Sequence, residues 1–503
     1  MKSLRNCLWL VLASVLCLSH CAYHRGWQAE RTHLSYYQPK SVRAFQYQVN
    51  QLIKLTNLQS AFLGIYIEEP HTRRILYAYN ADKLLMPASN MKIITSAAAL
   101  SLLKPDFRFK TRLYINGTIC GDTLYGDVVV CGSVDPTISG LYYDGDLLHV
   151  FREWCDALHL RGIKYIHGRL IGDDRIFKGG WGEGWSWDDL WYYYGAKTSA
   201  LTFNDNCVDF YILPSSKIGE PARIWTNPPT SYLKIENFLQ TFDTTERRYY
   251  DFTRPLGTEC LRIWGQIPVN SDTIRNSCAI ENPTNYFLHV FREMLTAGGI
   301  QVDTIAAIGD LNDKYDYEKF ELIKEHQSVP LSQIVKTLNK VSHNLYAEQL
   351  LRTLGYVFRQ EGSAAAGIAV EREWLGSIGV DTNMVFIVDG SGLARTNLVT
   401  PLQIATVLRT MRFSPYWQPF RESLPIGGVD GTIKNRFKGT NAVGHVFAKT
   451  GYIGHVRALS GFVEARNGRE YIFSIIANHY PTPTSLINEL QDSIVTLLYN
   501  LEE

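Results

Sequence analysis

With 503 residues, 46% of them hydrophobic and 20% charged, the chain has enough apolar material for a large core and more than one domain, and disorder is not indicated. Its 50 basic and 49 acidic residues nearly cancel. No global field therefore draws nucleic acid or an anionic membrane, and recognition has to come from a local site.

Lys2 and Arg5 precede an apolar run from Cys7 to Leu18 that is too short for a permanent membrane span. Residues 1–21 are thus predicted to be an export signal, which places the mature protein outside the cytoplasm. Leu18-Ser19-His20-Cys21 resembles a bacterial lipoprotein cleavage site, with His20 where a small residue is usual. Plain secretion and a lipid anchor on Cys21 both stay open. From Ala44 to Leu55 the pattern is helical, and "AFLGIYIEE" and "RILYAYN" alternate like the strands of a hairpin.

The stretch "LMPASNMKIITSAAAL" follows at once. Its apolar wrap with small residues suits a helix packed on every side, and positions three apart share a face, so Lys92 can reach the Ser89 hydroxyl. Taken alone, the pair fits two readings. Pro87 and Ser89 can simply open a helix while Lys92 snorkels to water, or the serine can be a nucleophile with the lysine as its base.

Beyond Phe109 short strands separated by Gly and Asp are predicted, with a helix near Leu148 to Leu160 and a second β-rich stretch from Cys207 to Val269. Aromatic residues crowd between Trp181 and Tyr194. Helical periodicity returns over Tyr286–Ala297 and Leu331–Phe358. The chain ends in the strands "GHVFAKTGYIG", "ALSGFVEA" and "EYIFSIIANH" and a helix over Ser485–Leu501. The predicted fold is an α/β unit interrupted by a β-rich insertion and then resumed. Six cysteines, Cys120, Cys131, Cys155, Cys207, Cys260 and Cys278, lie in the middle of the chain; outside the cytoplasm an even count permits disulfides of undetermined pairing. There is no H-E-x-x-H, no Cys/His metal spacing and no phosphate loop, so neither a metal nor a nucleotide cofactor is indicated.

Three short motifs occur in order: Ser89-Asn90-Met91-Lys92, then Ser342-His343-Asn344 in a helical region, then Lys449-Thr450-Gly451 on a predicted strand. The set resembles that of penicillin-recognising enzymes. The segments "GWSWDDLWYYYGAKTSALTFNDN", "SHNLYAEQLL", "VDGSGLARTNLVTP" and "LPIGGVDGTIKNRF" extend the similarity to the low-molecular-mass class C penicillin-binding proteins, over nearly all of the chain after residue 43. That resemblance implies a penicillin-recognising α/β domain carrying inserted β-rich domains, with first part 22–115, insertion 116–299 and second part 300–503. It implies a periplasmic serine D-Ala-D-Ala carboxypeptidase or endopeptidase, acting on peptidoglycan peptides and inhibited by β-lactams.

By the same resemblance, Ser89 is the nucleophile and Lys92 its base. A lysine near pKa 10.4 is almost fully protonated at neutral pH and must be shifted to about 7 or 8, a direction in which burial and the charge of Lys449 both push. Ser342 relays a proton, Asn344 holds Lys92 and the substrate backbone, and Lys449 and Thr450 of the Lys449-Thr450-Gly451 motif take the terminal carboxylate. The backbone N–H groups of Ser89 and Tyr452 form the oxyanion hole. Asp189 and Arg395 match positions that, in relatives cutting diaminopimelate peptides, hold the zwitterionic end of that side chain. Two positions depart from the pattern. Tyr452 replaces a common threonine, and His343 replaces a common aspartate and is read as pointing away from the site. A silent peptidoglycan-binding scaffold and a β-lactamase are the competing readings. Five intact site residues count against the first, and the lack of a class A type glutamate loop counts against the second.

Overall fold

The computed structural model describes residues 37–503 apart from 57, 59, 178, 245–247 and 312–314. The expected export signal and Cys21 lie outside the described residues. Helix α1 (Val42–Leu55) is capped by Ser41, whose hydroxyl accepts the Ala44 amide hydrogen, and buries the stripe Val42, Phe45, Val49 and Leu52 at helical spacing. Strands β1 (Phe62–Glu69) and β2 (Arg74–Tyr79) form the expected antiparallel pair. In α2 (Met91–Leu103) every side chain from Met91 to Leu100 is buried, as an apolar wrap with small residues requires.

The chain then leaves for a β-rich excursion. Strands β3 (Lys110–Cys120) and β4 (Thr123–Cys131), helix α3 (His149–Leu160) and strand β5 (Tyr165–Asp173) come first. Next come β6 (Cys207–Leu213), β7 (Arg223–Asn227), β8 (Lys234–Phe242), β9 (Tyr249–Thr253), β10 (Cys260–Pro268) and β11 (Ile274–Ala279), followed by α4 (Pro283–Ala297), β12 (Gln301–Ala307) and β13 (Glu321–Gln327). They make a five-stranded sheet ordered β12-β5-β4-β3-β13 and two three-stranded sheets, β8-β10-β9 and β11-β6-β7. The strands set the limits of this region near 110 and 327, not 116 and 299. β3 starts before residue 116, and β13, more than twenty residues past 299, returns to pair antiparallel with it. The six cysteines are all free. Cys207 and Cys278 sit on adjacent strands but pair in register with Ala279 and Val208, which puts their side chains on opposite faces.

The chain re-enters the α/β unit through α5 (Leu331–Lys340), α6 (Asn344–Arg359), α7 (Ala364–Ser377), α8 (Pro401–Arg412) and α9 (Trp417–Ser423). It closes with β14 (Val446–Ile453), β15 (Val456–Glu464), β16 (Glu470–Asn478) and α10 (Thr484–Tyr499). The antiparallel sheet runs β14-β15-β16-β1-β2, with the chain's first strands paired to its last. Period-two alternation divides its faces. Tyr66, Phe462 and Ile472 pack with α2 and the helices around it, whereas Ile65, Ile67, Leu459, Phe473 and Ile475 pack with α1 and α10.

One expected helix is two. Helical periodicity over Leu331–Phe358 is interrupted at Ser342, whose φ of +62° is left-handed, and the His343 amide bonds back to the Leu338 carbonyl at 2.9 Å. That pattern ends α5 in the manner of a Schellman cap and lets α6 begin in a new direction. Ser342 therefore stands in a turn, not in a helix. Among the described residues no helix is long and apolar enough to cross a membrane.

Candidate active site

Ser89 lies in a single tight turn, Ala88–Asn90, that leads into α2. Ala88 has φ +46°, a conformation unfavourable for a residue with a Cβ, and the packing around it holds the turn in place. Two glycines permit that packing. A Cβ on Gly451 would stand 2.4 Å from the Pro87 carbonyl oxygen, and one on Gly392 would stand 1.9 Å from the Ala88 oxygen. Strand β14 and the loop 389–397 are thus pressed directly on the backbone beside Ser89. The buried Asn90 side chain anchors the turn to the sheet by donating to Ser460 Oγ at 2.6 Å.

One helical turn on, Lys92 is fully buried. Its Nζ is 3.0 Å from Ser89 Oγ, 2.6 Å from Asn344 Oδ1 and 2.6 Å from the Ser391 carbonyl oxygen. Asn344 Oδ1 and the Ser391 carbonyl can only accept. A neutral amine has two hydrogens, so both go to those oxygens and the lone pair is left facing the Ser89 hydroxyl. Burial lowers the Lys92 pKa from 10.5 to about 7, against the opposing pull of Asp389 and Glu348. The requirement stated from sequence is met mainly by desolvation; the charge of Lys449 is not among the causes for Lys92, although Lys92 does act on Lys449.

Lys449, also buried, donates to Ser342 Oγ at 2.8 Å and to the Thr450 carbonyl at 2.9 Å. Burial holds its pKa well below the usual lysine range, helped by the charges of Lys92 and Arg457. Asn344 Nδ2 donates to the Tyr194 carbonyl at 2.8 Å, which ties the motif on α6 to the aromatic segment of the excursion. Thr450 Oγ1 donates to Thr432 Oγ1 at 2.8 Å.

These groups open on a cleft of about 660 Å³ lined by Ser89, Ser342, Asn344, Thr450 and Tyr452, with Asp189 and Arg395 at its walls. Asp189 accepts from Tyr194 Oη at 3.0 Å, and burial raises its pKa while the Arg395 guanidinium pulls the other way. Arg395 is exposed and donates to the Gly454 carbonyl at 3.0 Å. All ten residues singled out from the sequence belong to this neighbourhood: Gly451 makes the close approach of β14, and Tyr452 is 57% exposed at the rim. His343 turns elsewhere. Its Nε2 is 3.2 Å from Asp205 Oδ2, and its ring packs on Tyr346 at 4.1 Å between centroids.

Sequence reasoning did not find the supports of the site. Asp389 accepts from the amides of Gly392 and Ala394, each at 2.7 Å, and from Trp185 Nε1 and Asn397 Nδ2, each at 2.8 Å. Glu348 accepts from the Gly390 and Ser391 amides. Together they fix the loop whose Ser391 carbonyl meets Lys92. The signal for Asp389 was its place in "VDGSGLARTN"; for Glu348, in mid-helix, there was none. Arg457, which also lines the cleft, was missed as well.

The model of the D-Ala-D-Ala carboxypeptidase 3 (S13) family matches residues 45–501. The chain is 30% identical over 462 residues to a D-alanyl-D-alanine carboxypeptidase of Actinomadura sp. (strain R39), covering 90% of this chain and 83% of that one. It is 27% identical over 427 residues to the D-alanyl-D-alanine carboxypeptidase DacB of Haemophilus influenzae, covering 84% and 86% of the two chains. The crystal structure of penicillin binding protein 4 (dacB) from Haemophilus influenzae superposes with a TM-score of 0.77 at 25% identity, over 90% of this chain and 99% of that one.

Proposed function

The chain belongs to the D-Ala-D-Ala carboxypeptidase 3 (S13) family, and on that premise we infer that it is a serine peptidase cleaving the D-Ala-D-Ala bond of peptidoglycan peptides, as carboxypeptidase or endopeptidase, with Ser89 as its nucleophile. Ser89 Oγ attacks the carbonyl of the penultimate D-Ala while Lys92 Nζ takes the hydroxyl proton. The backbone N–H groups of Ser89 and Tyr452 receive the developing oxyanion. As the C–N bond breaks, Ser342 passes its hydroxyl proton to the departing amine and regains one from the Lys92 ammonium, which returns Lys92 to the neutral form, while the hydrogen bond from Lys449 holds Ser342 in place. Water then hydrolyses the ester on Ser89, with Lys92 again as base. Asn344 keeps Lys92 aimed, and Lys449 and Thr450 hold the substrate's terminal carboxylate.

The observation that carries this reading is the set of three partners around Lys92. A buried amine with two obligate acceptors and one hydroxyl is built to take a proton from that hydroxyl. A binding scaffold has no need of such a base. Asp189 and Arg395 supply opposite charges on the walls of one cleft, which suits the ammonium and carboxylate at the end of a diaminopimelate side chain. The apolar run after Lys2 and Arg5 supports export to the periplasm, with attachment through Cys21 as the second form of that proposal.

Intact-protein mass spectrometry with benzylpenicillin tests the assignment. A persistent penicilloyl adduct is expected on the wild type and not on Ser89→Ala. Unmodified wild type beside intact drug and intact D-Ala-D-Ala peptide would refute it.

A further inference from the structure

The sheet β8-β10-β9 has two faces of opposite character. Leu239, Leu261, Ile263 and Ile267 point inward and pack with Val208 and Phe210 of the neighbouring sheet. By strand alternation the positions between them point out. Register sets those outer side chains in rows across the three strands: Phe238, Trp264 and Asp251 in one, and Gln240, Gln266 and Tyr249 in the next, about 7 Å further along. Phe238 is 60% exposed and Tyr249 62%, and Trp264, on the central strand, is part-buried.

Single exposed rings are ordinary on a protein surface, but three on one rigid sheet face mark a contact surface. What lies among the rings decides the kind of contact. Each ring has an amide or a carboxylate beside it in its own row or the next, so the ligand must offer apolar faces and hydrogen-bonding edges in turn. The outward charges of the three strands cancel, Lys234 and Arg262 against Glu236 and Asp251, and Glu236 is held by Arg262 at 2.7 Å and by Lys234 at 3.0 Å. Nucleic acid or an anionic bilayer finds no cationic field there. The core of a protein interface is depleted of charge, whereas Asp251 stands in the row of Trp264. A sugar ring has the required alternation: its C–H faces stack on aromatic rings, and its hydroxyl and acetamido edges bond amides and carboxylates.

Side chains join this face to the cleft. Asp251 accepts from Tyr192 Oη at 3.1 Å, Tyr192 stacks on Tyr194 with ring centres 5.4 Å apart, and Tyr194 donates to Asp189 at the cleft wall. Resting on the peptidase reading above, we propose that the outer face of β8-β10-β9 binds the uncharged, N-acetylated glycan strand that carries the peptide being cut, with Phe238, Trp264 and Tyr249 as its stacking rings. Holding the strand raises the local concentration of its peptides at Ser89 and does nothing for a free peptide.

The probe is the soluble β-1,4-linked hexamer of N-acetylglucosamine, titrated calorimetrically into wild type, Trp264→Ala, Trp264→Phe and Tyr249→Ala. Hydrolysis of purified peptidoglycan and of free diacetyl-L-Lys-D-Ala-D-Ala is measured on the same proteins. Wild type is expected to bind the hexamer. Each alanine variant should weaken that binding at least about 10-fold, the worth of an aromatic anchor, and lose a similar factor on peptidoglycan while staying within about twofold on the free peptide. Trp264→Phe keeps a stacking ring and should retain most of the affinity, and it carries the test with Tyr249→Ala if Trp264→Ala is unstable. A wild type that ignores the hexamer, or alanine variants that lose both substrates alike, overturns the proposal. A concentration-dependent dimer in sedimentation velocity that Trp264→Ala abolishes, with hexamer binding unmoved, overturns it in favour of a second copy of the chain on this face. Benzylpenicillin labelling reads the Ser89 assignment separately: no label beside intact hexamer binding refutes that assignment and leaves the glycan site standing.

Discussion

Replacing Lys92 with methionine separates what the lysine does for chemistry from what it costs the fold. The buried amine has a pKa of about 7, against 10.5 when exposed. Between those values the unfolded chain binds more protons than the folded one, so wild-type stability rises with pH through that window. The burden is fully present below pH 7, where the gap between 10.5 and about 7 corresponds to about 5 kcal/mol, and falls to about 2 kcal/mol at pH 9. Methionine removes it, but leaves Asn344 Oδ1 and the Ser391 carbonyl without a donor, at about 1–3 kcal/mol each and independent of pH. The diagnostic quantity is therefore the change with pH. The stability of Lys92→Met relative to wild type should fall by about 3 kcal/mol between pH 6 and pH 9. Urea unfolding of both proteins at the two pH values measures it, and penicillin acylation of the variant should be abolished. A stability difference that is the same at both pH values would refute the argument that Lys92 is held neutral by burial.

Acylation of the wild type by benzylpenicillin, followed by stopped flow, should rise with pH and level off above about 7, because only the neutral amine can take the Ser89 proton; a flat profile from pH 5.5 to 8.5 would count against Lys92 as base. Gly451→Ala places a Cβ 2.4 Å from the Pro87 carbonyl oxygen, a backbone atom that cannot swing aside. It should cost about 1–3 kcal/mol in unfolding and at least about 100-fold in acylation rate, since a shift approaching 1 Å displaces the nucleophile from its partners. His343→Ala should lower stability by about 1 kcal/mol through loss of Asp205 while acylation stays within about threefold, as read by urea melts and penicillin labelling. Arg395→Ala should raise KM for diaminopimelate peptides far more than for simple acyl-D-Ala-D-Ala, and equal rises in steady-state assays would remove Arg395 and Asp189 from that role.

Chemistry confined to a few neighbouring residues was legible in the sequence. The spacing of Ser89 and Lys92 is a property of one helical turn, and the alternation of β1, β2 and β14 to β16 follows from burying two faces of one sheet. The order of the three motifs further selected the fold. Tertiary structure decided everything that depends on partners far apart in the chain. Ser342 reads as helical because its neighbours Leu338 and Leu345 keep an apolar period, and only the left-handed turn aims its hydroxyl at Lys449. The pKa of Lys92 is set by complete enclosure, which no local pattern encodes. Glu348 and Asp389 look like ordinary acids until the loop 389–397 folds onto them, and Arg457 looks like a strand surface cation until β14 and α10 close around it. Spacing along the chain fixes which groups can act within one turn. Desolvation and long-range contacts, which exist only after folding, fix what charge each of them carries.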